Sequence, residues 1–464
     1  MTTPEQYDAI IVGAGQAGTP LSTALAGAGM RTALIERKHV GGTCVNEGCT
    51  PTKTMVASGR VAYLARRAAD YGVHTGPISI DLERVRQRKR NIVDSFRKGS
   101  QTRIEKTKNV ELIFGEGRFT APKTIAVLLK DGSERVLSAQ HIFINAGTRA
   151  GRPKLDGLDA VPFLDNISIM ELGTVPEHLL VLGGGYIGLE FGQLFRRFGS
   201  RVTIVQGANQ LLTQEDPDVA EEVKKILSQD GIEIVLNAKA TKVDQGDGQI
   251  RLQMLSAGNA ATVIGSHLLI ATGRVPNSDT LNLDVAGVGT DQHGFIKVND
   301  RLETTAEGIY ALGDIKGGPA FTHISYDDFR IIRANLIEKK SASTKGRQVP
   351  YCLFTDPQLG RVGLTESEAR AQGRKIRVAK LPMTSVARAL EVDETRGFMK
   401  AIVDAESNQI LGAAILGIEG GEVMSVLETA MMGKLPYTAL RDATYAHPTL
   451  SESLNNLFMA MDRA

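Results

Sequence analysis

An apolar segment that runs directly into three spaced glycines constrains the fold of this 464-residue chain more than any other feature. The segment is residues 8–12, and the glycines are Gly13, Gly15 and Gly18; an alanine-rich helical stretch and the apolar strand 32–35 follow. Gly13 permits a tight turn, Gly15 lets the backbone approach a pyrophosphate, and Gly18 lets a helix pack closely on the strand. We therefore predict a strand, turn and helix that hold a dinucleotide at the helix N-terminus.

The same order of features returns later in the chain. An apolar run at 179–182 leads into Gly183, Gly185 and Gly188, and a helical stretch and a further strand, 201–205, follow. Glycines that serve only tight turns are the alternative interpretation, but a second copy in the same context argues against it. Two copies predict two bound dinucleotides in an α/β chain with two Rossmann-like domains.

The residue that ends the second strand of each copy distinguishes the two predicted sites. Glu36 ends it in the first copy, where its carboxylate can accept hydrogen bonds from two ribose hydroxyls. Gln206 holds the corresponding place in the second copy, and a neutral glutamine does not repel a 2′-phosphate. No Lys or Arg follows between residues 207 and 214 to bind such a phosphate, so NADPH is only slightly favoured over NADH.

The two copies are closed by related segments but differ in length. Residues 144–148, with Gly147, close the first copy, and residues 270–274, with Gly273, close the second. The first copy is the longer one, and its additional residues include Cys44 and Cys49. The cysteines, and the chemistry that they support, therefore belong to the first copy alone.

The two cysteines lie in a segment that favours redox chemistry. Gly48 lets the backbone bring both sulfurs together, and Cys49 precedes Pro51, which suits the first turn of a helix. A helix dipole would lower the pKa of the Cys49 thiol. A structural disulfide and half of a metal site are the alternatives; a zinc site needs four ligands, and the only other cysteine is Cys352. We predict no resident metal.

Composition limits the partners and the compartment. The formal net charge is +2, and the basic run 84–108 keeps apolar residues at near-helical spacing, which favours a solvated helix face over a nucleic-acid site. No apolar stretch is long enough to span a membrane. A predicted strand so close to the N-terminus leaves no room for a signal peptide, so we expect a cytoplasmic protein.

Taken in order, the cysteine segment, both glycine motifs and residues 311–314 resemble the flavin-dependent pyridine nucleotide-disulfide oxidoreductases, which include lipoamide dehydrogenase, glutathione reductase and mercuric reductase. The resemblance covers the whole chain. It implies FAD in the first copy, NAD(P)H in the second and a C-terminal α+β dimerisation domain. The implied boundaries are 1–150 and 272–345 for FAD, 151–271 for NAD(P)H and 346–464 for the interface.

The resemblance also implies roles for individual residues. The implied FAD ligands are Glu36 on the ribose, Asp314 on the ribityl chain, and Gly13, Gly15, Gly18, Thr43 and Gly147. The implied NAD(P)H ligands are Gly183, Gly185, Gly188, Gln206 and Gly273, with Tyr186 over the nicotinamide pocket. Cys49 would be the thiolate against the flavin, Cys44 the thiol that faces substrate, and Lys53 would pair with Glu190 beside the flavin.

A histidine near the C-terminus completes the implied site. His447 precedes Pro448, and Glu452 follows it. A structural histidine is the alternative, but the resemblance implies an imidazole that exchanges protons with Cys44 and is oriented by the carboxylate. It also implies a homodimer with composite active sites.

Short segments of the sequence indicate which class of electron acceptor the protein uses. Tyr445 stands where lipoamide dehydrogenase usually has a second histidine, and the chain lacks the C-terminal cysteine pair of mercuric reductase. Residues 385–389 and 393–398 resemble mercuric reductase, whereas 435–437 and 451–458 are more similar to the reactive-chlorine-resistance flavoproteins, a branch associated with copper(II) reduction. We expect a thiophilic metal ion or a small disulfide as acceptor. A dihydrolipoamide dehydrogenase-like subunit and a flavin redox sensor without turnover are the alternatives.

Overall fold

The structure, a computed structural model, describes residues 3–463. Residues 3–151 form β1 (Glu5–Val12), α1 (Gly18–Gly27), β2 (Thr32–Glu36), α2 (Gly42–Asn46), α3 (Cys49–Arg66), α4 (Leu82–Glu105), β3 (Val110–Ala121), β4 (Thr124–Leu129), β5 (Glu134–Ile144) and β6 (Thr148–Ala150). Residues 152–272 form β7 (His178–Leu182), α5 (Tyr186–Phe198), β8 (Arg201–Val205), α6 (Pro217–Gln229), β9 (Glu233–Val235), β10 (Ala238–Gly246), β11 (Gln249–Ser256), β12 (Asn259–Gly265) and β13 (His267–Ile270).

The remaining described residues complete both units with further strands and α-helices. Residues 273–347 form β14 (Arg274–Pro276), β15 (Ile309–Ala311) and α7 (Thr322–Leu336). Residues 348–463 form β16 (Tyr351–Leu353), β17 (Gln358–Gly363), α8 (Glu366–Ala371), β18 (Ile376–Pro382), α9 (Ala387–Glu391), β19 (Phe398–Asp404), β20 (Ile410–Gly417), α10 (Gly420–Met432), α11 (Tyr437–Arg441) and α12 (Ser453–Met459). Within the described residues, every helix is too short or too polar to cross a membrane.

The chain divides into two compact units. The first contains residues up to 55, 83–151 and 273–347, and the second contains residues 56–82, 152–272 and 348 onward. The predicted α/β fold with two strand–turn–helix copies is confirmed, one copy lying in each unit. The further division into FAD, NAD(P)H and dimerisation domains at 150, 271 and 345 stays a prediction.

A six-stranded sheet forms the centre of the first unit. β1 lies between β2 and β5, β15 extends the sheet beyond β5, and all these pairs are parallel. Successive residues of β1 face opposite sides, so Ile10 packs in one apolar core and Ile11 in the other. Because β1, β5 and β15 are parallel neighbours, the loops after them meet at one edge of the sheet, where such sheets bind ligands.

Three sheets build the second unit. A parallel sheet in the order β13-β7-β8-β9 carries the second glycine turn after β7, and β10, β11 and β12 form an antiparallel sheet. A five-stranded antiparallel sheet, in the order β16-β17-β20-β19-β18, shares its apolar core with α10, α11 and α12. This last sheet, with its helices, is the α+β segment predicted for the C-terminal part.

Candidate active site

The first glycine turn is closely packed, as its proposed role requires. Gly13 has a φ of +106°, and a Cβ there would collide with the carbonyl oxygen of Asn145. A Cβ on Gly18 would collide with the carbonyl oxygen of Gly13. Glu36 is held at the turn, because its Oε2 accepts a hydrogen bond from the Ala14 amide at 2.9 Å. A backbone turn with a carboxylate beside it fits a dinucleotide bound at the N-terminus of α1.

Asp314 lies at the same edge of the first unit. Its side chain is half-buried, and this burial raises the pKa of its carboxyl group, while the neighbouring Arg274 acts in the opposite direction. The Thr148 hydroxyl donates to Asp314 Oδ2 at 3.2 Å. These three side chains and Lys316 line a cleft of about 380 Å³. A half-buried acceptor in a cleft fits the hydroxyl-rich ribityl chain of FAD.

The two cysteines lie at the junction of two helices. Cys44 is in α2, and Cys49 is the first residue of α3. Their side chains are hydrogen-bonded to each other, and this bond, together with burial, raises the pKa of Cys44. The charge of Lys53, one turn further along α3, acts in the opposite direction. The structure thus brings together Cys44, Cys49 and Lys53, three of the residues that the sequence singles out.

Thr322 contacts the same sulfurs and was not predicted from the sequence. It begins α7, and its Oγ1 lies 3.5 Å from Cys49 Sγ. Its hydroxyl also lowers the pKa of Cys44, against the stronger effects of Cys49 and burial. No motif signals this contact, since Thr322 and Cys49 are far apart in the chain.

Arg274 is a second residue that sequence reasoning missed. Its guanidinium donates to the Thr148 hydroxyl and to the Thr148 carbonyl, both at 2.8 Å. Burial lowers its pKa, while the charges of Asp314, Glu47 and Cys49 raise it. A half-buried cation thus lies near both the Asp314 carboxylate and the Cys49 sulfur. The signal was available, since Arg274 directly follows Gly273 in the second closing segment.

In the second unit, the second glycine turn repeats the geometry of the first. Gly183 has a φ of +118°, and a Cβ there would collide with the Ala271 carbonyl oxygen. A Cβ on Gly185 would meet open space, so the turn is accessible at that point. Gln206 Oε1 accepts a hydrogen bond from the Gly184 amide at 3.1 Å, as Glu36 does in the first copy. The turn therefore fits a second dinucleotide.

Tyr186 begins α5 beside the second glycine turn. The edge of its ring packs against Tyr351, with 5.6 Å between centroids. Tyr351 is hydrogen-bonded to Glu215, and the other carboxylate oxygen of Glu215 lies 3.3 Å from Arg361 Nε. Burial raises the pKa of Glu215, while Arg361 and Tyr351 act in the opposite direction. A buried ion pair therefore lies behind the ring that was predicted to cover the nicotinamide pocket.

Glu190 is buried one turn further along α5. Its Oε1 accepts a hydrogen bond from the Phe354 amide at 2.9 Å. Glu190 belongs to the second unit and Lys53 to the first, and their pairing stays a prediction.

His447 and Glu452 are brought together within the second unit. His447 Nδ1 lies 2.9 Å from Glu452 Oε2, and 69% of the histidine side chain is exposed. A carboxylate on Nδ1 leaves Nε2 to exchange protons with another group. In the described part of the chain, no group of three or more His, Cys, Asp or Glu side chains could hold a metal ion.

A reactive pair of cysteines and two dinucleotide turns define the class of pyridine nucleotide-dependent disulfide reductases. Comparison with known families agrees: residues 7–328 match the pyridine nucleotide-disulphide oxidoreductase family, and residues 349–458 match its dimerisation domain. The chain belongs to this family, whose members depend on FAD and NAD(P)H, and is a flavoprotein disulfide reductase.

Similar proteins cover nearly the whole chain. The probable pyridine nucleotide-disulfide oxidoreductase RclA of Escherichia coli is 38% identical over 98% of this chain and 99% of its own length. The mercuric reductase of Bacillus cereus is 34% identical over 98% of this chain and 72% of its own length. A solved structure, the Cu(II) complex of the HOCl-induced flavoprotein disulfide reductase RclA, matches with a TM-score of 0.90 at 37% identity, covering 98% of this chain and 99% of the other.

Proposed function

We propose that this enzyme passes electrons from NAD(P)H through FAD and the Cys44–Cys49 pair to a thiophilic metal ion, copper(II) or mercury(II), or to a small disulfide. The observation that carries the proposal is the hydrogen-bonded pair of sulfurs in the unit that also holds the first glycine turn and Asp314. When bound, FAD supplies a hydride acceptor and a two-electron donor to the disulfide.

The chain's own residues divide the remaining work. Glu36 and Asp314 bind the cofactor, and the charge of Lys53 favours the ionised sulfur. Because its hydrogen bond with Cys49 and burial raise the pKa of Cys44, Cys44 keeps its proton and Cys49 is the thiolate of the reduced pair. Two electrons and one proton thus convert the disulfide into one thiol and one thiolate.

Reoxidation restores the disulfide. The Cys44 proton passes to His447, and the sulfur–sulfur bond forms as two electrons leave. One mercury(II) ion accepts both electrons, or two copper(II) ions accept one each. A small disulfide accepts both electrons and the one proton, and leaves as one thiol and one thiolate.

The similar proteins support a metal ion as acceptor. The E. coli RclA structure with TM-score 0.90 is a Cu(II) complex, and proteins 31–34% identical include mercuric reductases from Bacillus and Staphylococcus and a dihydrolipoyl dehydrogenase from pea. The last of these favours a second candidate, a dihydrolipoamide dehydrogenase-like subunit. Tyr445, in place of the histidine usual there, argues against that candidate.

NADPH is the slightly favoured reductant. Gln206 is neutral, and its Oε1 is held by the glycine turn, so no carboxylate repels a 2′-phosphate. Because residues 207–214 contain no Lys or Arg to bind that phosphate, the expected preference is small.

We further propose a cytoplasmic homodimer with shared active sites. The match to the dimerisation domain supports the pairing of two chains. The exposed His447, oriented by Glu452, is available to the Cys44 of a partner subunit.

An acceptor screen tests the proposal. Copper(II), mercury(II), lipoamide and glutathione disulfide are each offered with NADH and with NADPH, and nicotinamide oxidation is followed under nitrogen. We expect turnover with a metal ion or a small disulfide that is lost in Cys44→Ser, while Cys352→Ser, a matched cysteine outside the pair, keeps it. Turnover with lipoamide alone among these acceptors would favour the second candidate. If none of these acceptors supports the oxidation of NADH or NADPH, the redox sensor without turnover is the remaining candidate.

A further inference from the structure

The two closing segments differ at one position that the proposed function does not use. Asn145 in the first copy corresponds to Ala271 in the second. The backbones agree, because a Cβ on Gly13 would meet the Asn145 carbonyl just as a Cβ on Gly183 would meet the Ala271 carbonyl. The difference between the copies therefore lies in the side chain alone.

The Asn145 side chain joins the two segments that build the first site. Its Oδ1 accepts a hydrogen bond from the Gly18 amide at 2.9 Å, and its Nδ2 donates to the Leu312 carbonyl at 2.9 Å. The residue is 8% exposed. One side chain thus ties the start of α1 to the backbone two residues before Asp314.

The space around the amide leaves it little freedom. A Cβ on Gly15 would lie 2.9 Å from Asn145 Oδ1, so the side chain fills the underside of the glycine turn. The next residue after Leu312 is held as well, because the Gly313 amide donates to the buried Asp328 at 2.8 Å. The turn and the Asp314 carboxylate are consequently held in a fixed relation to each other.

The second copy has no equivalent link through this position. Ala271 offers hydrogen bonds only from its backbone, and its amide donates to the Leu182 carbonyl at 2.8 Å. Its methyl group forms no hydrogen bond, so it cannot link the second glycine turn to another segment. The two sites thus share a backbone design but differ in how firmly it is fixed.

We infer that Asn145 is a positioning residue that fixes the spacing between the pyrophosphate turn and Asp314, and so strengthens the binding of FAD at the first site. The second copy, with alanine at this position, binds its dinucleotide without this link. The inference rests on the proposed function only in assigning FAD to the first copy.

The test compares FAD affinity in wild-type protein, Asn145→Ala and Asn145→Leu. Apoprotein is titrated with FAD and the quenching of flavin fluorescence gives Kd. We expect Kd to rise roughly tenfold to a hundredfold in both variants, because two hydrogen bonds are lost and the Leu312 carbonyl is left without its donor. Leucine has the same branched arrangement of side-chain heavy atoms as asparagine but cannot form hydrogen bonds, so recovery by leucine would show a packing effect and overturn the inference. NADP⁺ affinity, measured by calorimetry, is expected to change by less than about twofold.

Asn335→Ala is the matched control. Asn335 lies in the same unit and also accepts one backbone hydrogen bond and donates one, both with Ala342, at 2.7 and 2.9 Å. We expect it to lower the melting temperature of the apoprotein without changing the FAD Kd. An equal loss of FAD affinity in this control, or an unchanged Kd in Asn145→Ala, would overturn the inference.

If Asn145→Ala does not accumulate as folded protein, Asn145→Asp replaces it, since aspartate keeps the acceptor for Gly18 but cannot donate to Leu312. A rise in Kd is then expected from the loss of the hydrogen bond to the Leu312 carbonyl, and an unchanged value contradicts the inference. If the wild-type apoprotein does not bind FAD at all, that result would instead contradict the proposed function.

Discussion

At the scale of single residues, the environment of the redox sulfurs is the most informative feature. Thr322 Oγ1 lies 3.5 Å from Cys49 Sγ, at the first residue of the 15-residue helix α7. A hydroxyl that donates to a thiolate stabilises the ionised form. Thr322 is thus placed to favour the charge distribution that we propose for the reduced pair.

Replacing Thr322 with valine tests this contact. Valine keeps the shape but removes the donor, so the thiolate loses a hydrogen bond. A thiolate that donates charge to a flavin gives a long-wavelength absorption, and this absorption reports the ionisation of Cys49. We expect the apparent pKa of Cys49 to rise by about one to two units, from the strength of hydrogen bonds to charged groups. The measurement is a pH titration of the anaerobically reduced protein.

Thr54→Val is the matched control for that titration. The Thr54 hydroxyl donates to the Thr50 carbonyl at 2.8 Å, within α3. The control should titrate like wild type. An unshifted titration in Thr322→Val would show that the hydroxyl does not stabilise the thiolate.

At the scale of elements, the packing behind Tyr186 depends on a buried ion pair between two parts of the second unit. Glu215 precedes α6, and Arg361 lies in β17; both side chains are almost fully buried. Arg361 also donates to the Val362 and Ala413 carbonyls at 2.9 Å. Removing one partner of such a pair leaves a buried charge without compensation, which costs far more than losing an exposed pair.

Arg361→Leu is therefore expected to lower the free energy of unfolding by about 3–5 kcal/mol. Urea denaturation followed by circular dichroism measures the loss. Arg370→Ala is the control, because Arg370 forms an exposed pair with Glu366 and its loss should cost less than about 0.5 kcal/mol. Equal small losses in both variants would show that the Glu215–Arg361 pair adds little to stability.

The loss in Arg361→Leu should also depend on pH. Burial raises the pKa of Glu215 above its ordinary value, and removing Arg361 takes away an effect that lowers it. Between the ordinary and the raised value, folded protein binds a proton that unfolded protein lacks, so stability falls as pH rises. The destabilisation should be larger at pH 8 than at pH 5; the opposite order would contradict the assignment of the effect to Glu215.

Features that depend on neighbouring residues could be predicted from the sequence, whereas contacts between distant segments could not. The glycine turns, Glu36 at the end of β2 and Cys49 at the start of α3 were predicted because each depends on neighbouring residues. Thr322, and the link from Asn145 to Leu312, could not be predicted, because their partners come from distant segments. They meet only once β1, β5 and β15 form neighbouring strands of one sheet.

At the scale of the whole molecule, the proposed dimer is what brings the cysteine pair of one chain and His447 of the other into one active site. His447 and Glu452 are paired in each chain, and the histidine is 69% exposed. If each active site combines the cysteines of one chain with His447 of the other, two inactive variants can complement each other.

Heterodimers of Cys49→Ser and His447→Gln test the shared site. Chains with two different affinity tags are coexpressed and the mixed dimer is isolated. One of its two sites then has both intact residues, so activity should be about half that of wild type, although each homodimer is inactive. An inactive heterodimer would show that each chain builds its site alone.

The most direct test of electron transfer through the cysteine pair is an anaerobic titration of the purified protein with NADPH, followed by absorbance. We predict a yellow protein that develops a long-wavelength absorption on two-electron reduction, because the Cys49 thiolate donates charge to the flavin. The band should disappear in Cys49→Ser and persist in Cys44→Ser. A band that survives in Cys49→Ser, or a protein that carries no flavin, would contradict the account.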